Sequence, residues 1–123
     1  MPIIATDNAE FIRSYFAEMR ATSGRQDVID RFVADEQLKQ HICWAKSVAP
    51  DYHIVAEQMV SEGDTVAVRG KVNGIHRGEF NGIPPTGKQF SVDVAVFYRV
   101  KDGKIVDHWM VFDALGAVNQ LKA

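Results

Sequence analysis

Over the first fifty residues the apolar positions recur every three or four places. Phe11, Ile12, Tyr15, Phe16 and Met19 share one face of a predicted first helix. Asp7 and Glu10 precede that face, and their spacing suits a capping box, in which each side chain satisfies an otherwise unpaired amide. Thr22, Ser23 and Gly24 mark its end, and Val28, Ile29, Phe32 and Val33 repeat the spacing over a shorter second helix. A third helical piece, Ile42 to Val48, is expected to stop before Pro50, because the residue preceding a proline is pushed out of the helical region.

Beyond Pro50 the period changes to alternation. YHIVAEQMV, GDTVAVRGKVNGIH, KQFSVDVAVFYRV and GKIVDHWMVF are rich in valine and aromatic residues and predict four strands. Gly63-Asp64 and Asp102-Gly103 supply turn chemistry between antiparallel neighbours. The prolines and glycines of FNGIPPTG interrupt the ladder and predict a surface loop, and ALGAVNQL allows a last short helix. Helices followed by antiparallel strands is the α+β arrangement, a curved sheet with about three N-terminal helices on one face. Three helices leave part of a strongly curved sheet uncovered, so a cavity open at one end, fit for a small ligand, is expected.

A chain of 123 residues without repeat, linker or low-complexity tract predicts one domain over residues 1–123. With a formal net charge of -2 and scattered cations there is no basic stripe, which argues against a nucleic-acid partner. The sequence also has neither a basic-then-apolar leader nor the roughly 18 apolar residues of a membrane span, so a soluble, cytoplasmic protein is expected. The lone Cys43 agrees with a reducing compartment. Four scattered histidines, with no pair at helical ligand spacing, and no glycine-rich phosphate loop predict neither metal nor cofactor.

Candidate chemistry concentrates in GKIVDHWMVFD. Regular alternation places His108 with Val106, Met110 and Phe112 on one face, and Asp107 with Ile105, Trp109 and Val111 on the other. A histidine on an apolar face is either a core group satisfied by a carbonyl or a tyrosine, or a member of a pocket. Asp113 is placed to cap the following segment.

The run from Gly74 to Leu121, above all GIHRGEFNGIPPTGK and DGKIVDHW, resembles the SnoaL-like polyketide cyclases, also called ester cyclases, of the nuclear transport factor 2-like superfamily. That resemblance implies a cone-shaped α+β barrel, usually dimeric through the outer sheet, around an apolar pocket. It also implies proton transfer by carboxylate and histidine side chains during an intramolecular aldol closure, with no metal or cofactor. Removing a proton beside a carbonyl requires a positioned base and a donor for the developing enolate oxygen.

Carried over residue by residue, the family's catalytic aspartate falls on Met110 and a second polar position falls on Val96; neither side chain transfers protons. The resemblance offers His41 as a pocket base and Tyr15 as a hydroxyl donor, and His108 is the third candidate. Phe16 and Met19 from the first helix, with Trp44, Phe90, Val96, Met110 and Phe112, are expected to line the binding site. Each of these also has an ordinary reading as core filling, and His76 as a residue ordering a strand end. Three functions follow: a cofactor-independent cyclase or isomerase acting on an apolar carbonyl compound, a non-catalytic binder of small apolar ligands, or a dimeric scaffold with a filled interior. An interior cavity of roughly 300 Å³ with two convergent polar groups favours the first, an apolar cavity the second and none the third. Ser91, Asp93, Ala95 and Phe97, the outward face of the third strand, are the expected homodimer surface.

Overall fold

The computed structural model describes the backbone of residues 4–123 and the side chains of residues 8–123. Three helices, α1 (Ile4–Thr22), α2 (Gln26–Phe32) and α3 (Glu36–Val48), precede four strands, β1 (His53–Glu62), β2 (Thr65–Ile75), β3 (Gln89–Lys101) and β4 (Lys104–Phe112). A fourth helix, α4 (Ala114–Lys122), follows. The sheet is an antiparallel meander in the order β1-β2-β3-β4, so the fold is α+β with a curved open sheet.

Two helix starts differ from the sequence pattern. α1 already runs from Ile4, which puts Asp7 inside the helix; the Asp7 side chain of the expected capping box lies outside the described residues. α3 begins at Glu36 and not at Ile42, because the Asp35 carboxylate accepts from the Gln37 and Leu38 amides at 3.0 and 3.3 Å. The polar stretch before His41 is therefore the solvent face of a helix whose buried face carries Leu38 and Ile42. α1 ends as its sequence indicates, with Ser23 and Gly24 at positive φ and the Gly24 amide donating to Met19 O at 2.8 Å.

Curvature comes from two irregularities. β1 and β2 shift register between Ala56 and Gln58, beside Gly70, where any Cβ would stand 2.1 Å from Val55 O. β3 and β4 shift between Arg99 and Val100, so Val100 pairs with Ile105 and Arg99 with Asp107. The extra residue is Val106. Strict alternation, which put Val106 inward and Ile105 outward, therefore fails at this bulge: Ile105 is fully buried and Val106 is exposed. Past the bulge the expected faces hold, with Asp107 and Trp109 outward and His108, Met110 and Phe112 inward.

The concave face, including Val66, Val68, Val96, Tyr98 and Val100, packs against Ile12, Tyr15, Phe32, Leu38 and Ile42. A second apolar cluster, Val48, Phe80, Val92, Ala117 and Leu121, lies under α4 and the loop between β2 and β3. That loop is anchored by His76, which is fully buried; its Nδ1 accepts from the Thr86 amide at 3.2 Å, and the Arg77 and Gly78 amides donate to Val48 O at 2.9 Å. Phe80 is thereby folded inward. Asp113 caps α4 through the Gly116 amide, and the Gln120 side-chain amide bonds both Ser91 N and Ser91 O at 2.9 Å. α4 thus takes up the polar edge of β3 beyond the end of β4, and lays Ala117 and Leu121 across the wide end of the cone.

Candidate functional site

Between the two apolar clusters lies a cavity of about 90 Å³. Helix α3 contributes His41, Ile42, Trp44, Ala45 and Val48, which follow helical spacing, while the sheet contributes Val72, Phe90, Val92, Tyr98, Met110 and Phe112. Phe80, Ala117 and Leu121 close the far side, and Tyr15 and Tyr52 complete the wall near α1. The volume falls well short of the roughly 300 Å³ expected of an enzyme pocket for a drug-sized compound. Its lining nevertheless includes four polar residues, one imidazole and three phenols, in an otherwise apolar wall.

His41 sits beside Trp44, ring centroids 5.6 Å apart, and Trp44 continues to Phe80 at 6.1 Å. Trp44 is 43% exposed, so this aromatic row forms a wall between the cavity and solvent. Burial lowers the His41 pKa below 6.5, and the nearby His108 lowers it further, so the imidazole is neutral at pH 7 and able to accept a proton. Tyr15, Tyr52 and Tyr98 are all held above the ordinary phenol range, chiefly by burial, and therefore stay protonated.

His108 occupies a different place from the one its face suggested. It does not line the cavity; its Nδ1 lies 2.7 Å from Asp35 Oδ2, with both side chains largely buried. Val96 is fully buried in the main core beside its cross-strand partner Met110 and does not reach the cavity wall. Phe16 and Met19 surround a separate void of about 20 Å³ with Gly24 and His53, too cramped for a ligand. Of the sequence candidates, the structure brings together Tyr15, His41, Trp44, Phe90, Met110 and Phe112.

Three residues of the site were not singled out by sequence. Asp35 carried a signal, an aspartate preceding a helical stretch, but its cap was obscured by the polar face of α3. Tyr98 shares the inward parity of Val94 and Val96 and was readable as a concave-face group. Tyr52 opens the segment whose alternation predicts the first strand, but β1 begins only at His53, so that alternation does not set the direction of the Tyr52 side chain. Among the described residues no three His, Cys, Asp or Glu side chains cluster as metal ligands. No helix among the described residues is long and apolar enough to cross a membrane.

A cone of curved sheet and helices around an interior cavity defines the class. The chain belongs to the SnoaL-like polyketide cyclase family, which it matches over residues 4–121. It is 32% identical over 81 residues to the aklanonic acid methyl ester cyclase DnrD of Streptomyces peucetius, a match covering 65% of this chain and 56% of that protein. The match to the corresponding cyclase DauD of Streptomyces sp. strain C5 has the same identity and spans 50% of its length. The nogalonic acid methyl ester cyclase of Streptomyces nogalater is 27% identical over 116 residues, covering 80% of this chain and 87% of the relative. In three dimensions the chain is similar to a SnoaL-like protein of Jannaschia sp. CCS1 (TM-score 0.82, 21% identity, 100% and 96% of the two chains). It is also similar to IdmH of Streptomyces antibioticus (TM-score 0.79, 24% identity, 94% and 99%).

Proposed function

We propose that this protein is a cofactor-independent cyclase or isomerase that moves a proton beside the carbonyl of a small, largely apolar compound. The observation that carries this reading is His41, a neutral imidazole on the wall of an apolar cavity, the state a general base needs. The curated relatives named for ester cyclisation support the reaction class. In this reading His41 takes the proton. Tyr15, protonated and on the same cavity, is placed to donate to the developing oxygen; His108 is directed to Asp35 and acts at most at a distance. The reacting end of the substrate occupies the cavity.

One feature favours a second reading, that of a non-catalytic binder. Met110 lines the cavity at the position where the family resemblance places an aspartate, and among the described residues no carboxylate lines it. The two readings separate in a thermal-shift screen of carbonyl-containing aromatic compounds, followed by a turnover assay of every compound that raises the melting temperature. Turnover that His41→Gln abolishes supports the enzyme. Binding without turnover supports the binder, and no binding by any compound sinks both.

We further propose a cytoplasmic homodimer. The free thiol of Cys43 suits a reducing compartment, and Phe97, Trp109 and Val111 leave an apolar patch on the outer sheet face.

A further inference from the structure

We propose that Tyr15, Tyr52 and Tyr98 together form an oxygen-binding subsite in the cavity, one that holds a ligand's carbonyl oxygen and its enolate or phenolate form. This rests on the reading of the cavity as a ligand site and goes beyond it by assigning Tyr52 and Tyr98 and by naming the ligand group they select.

The three phenols come from separate elements, α1, the turn before β1, and β3, yet line one side of the same small space. Tyr15 and Tyr98 meet edge to face, ring centroids 5.9 Å apart, and are 4% and 2% exposed. Among the described residues none of the three hydroxyls has a hydrogen-bond partner. Nor is any of them sealed in: among the described residues, the side-chain polar atom that is both fully enclosed and unpartnered is His76 Nε2. Each tyrosine hydroxyl therefore reaches accessible space, and the cavity is the one space that all three tyrosines line together, since the small void beside α1 takes only Tyr15 and Tyr52 and the outer groove only Tyr98. Three unpartnered donors in an apolar wall are costly unless something accepts from them.

The partner should be an acceptor. Among the described residues no carboxylate lines the cavity to balance a cation, and His41 is neutral, so these residues offer no negative charge for a donor ligand to meet. The hydroxyls themselves remain protonated, because burial and then the neighbouring tyrosines oppose ionisation of Tyr15 and Tyr98. Donors fixed in a dry site and aimed where charge develops stabilise an oxyanion without reorganising. His41 stands on α3, in the same cavity, so the step balances within these groups. A C–H bond beside the carbonyl breaks, its proton goes to the imidazole nitrogen, and its electron pair becomes the enolate whose oxygen the three hydroxyls hold.

The test uses 4-nitrophenol, whose ring carries the oxygen, against 4-nitrotoluene, which has the same shape without it. Binding of both is measured in the wild type, Tyr52→Phe and Tyr98→Phe, and in Trp44→Ala, which widens the mouth so that entry does not limit the result. The expected result is 4-nitrophenol bound as the phenolate, shown by its long-wavelength absorption at a pH where the free compound is mostly protonated. Each Tyr→Phe change should weaken it by about tenfold or more. 4-Nitrotoluene should bind the wild type, Tyr52→Phe and Tyr98→Phe alike, which also certifies their folding, while in Trp44→Ala, whose cavity wall is altered, the two compounds are compared only with each other. Equal binding of the two compounds, unchanged by Tyr→Phe, overturns the subsite and leaves the cavity reading standing. Failure of both compounds to bind even Trp44→Ala overturns both.

Discussion

His108 on β4 and Asp35 at the start of α3 are joined by a 2.7 Å contact between Nδ1 and Oδ2, while Oδ1 of the same carboxylate caps the helix. One side chain thus ties the sheet to the helix that carries His41. The neighbouring backbone reinforces the junction, since the Ala34 and Asp35 amides both donate to Ile105 O. A cap contributes about 1 kcal/mol and a hydrogen bond to a charged group about 1.5–3 kcal/mol. Asp35→Ala, which loses both, should cost roughly 2–4 kcal/mol in urea unfolding. Asp35→Asn keeps a good capping side chain and should fall between that variant and the wild type. Equal losses in the two variants would show that the cap contributes nothing.

Gly74 leaves room for the Phe90 ring on the cavity wall. A Cβ there would come within 2.9 Å of Phe90 Cζ and 3.0 Å of Ala49 Cβ, so Gly74→Ala must displace the ring or the helix end. Overpacking of this kind costs about 1–3 kcal/mol. The expected outcome is a lower melting temperature together with weaker binding of ring compounds, because the displaced ring takes cavity space. Binding that is unchanged in a destabilised Gly74→Ala protein would mean that Phe90 moves away from the cavity.

The outer sheet face predicts the assembly. Phe97 and Trp109 are cross-strand partners with ring centroids 5.7 Å apart, 46% and 58% exposed, and Val111 extends their patch. Trp109→Lys should shift a dimer toward the 13.7 kDa monomer in sedimentation or light scattering, because it buries a charge in the expected contact. A wild type that stays monomeric across micromolar concentrations removes the homodimer.

Periodicity made the strands, their order and their inward faces legible, because the alternation of valines along β3 is a direct record of which side is buried. It failed where one residue interrupts the alternation. Val106 at the bulge exchanges the faces of Ile105 and Val106, and nothing in their side chains announces that. Val96 illustrates another limit: inward parity places it on the concave face but does not say whether it meets the helical core or the cavity, and it packs in the core while its register partner Met110 lines the cavity. His108 was legible as an inward histidine, whereas its partner Asp35 lies 73 residues away and is joined to it by tertiary folding alone. Cavity volume depends on rotamers and helix position, which sequence pattern does not carry.

The chemistry turns on His41. Its pKa lies below 6.5 through burial first and His108 second, so protonation is opposed in the folded state and unopposed in the unfolded one. The unfolded chain therefore binds more protons in the interval between the two values. The stability associated with a neutral His41 is complete above about pH 6.5 and is lost as pH falls through the lowered folded value. A base with this pKa keeps working at a more acidic pH than an ordinary imidazole, and rate should fall only as pH drops through the folded value. His108→Gln removes the second cause and should raise the His41 midpoint in an NMR titration, carrying the acid limb of the rate profile upward with it. His41→Gln should lower kcat by on the order of a hundredfold with little change in binding. If the His41→Gln, His108→Gln double variant turns over substrate at the full rate, no imidazole is the base; if the midpoint of His41 ignores His108→Gln, the two rings are not coupled and burial alone sets the base.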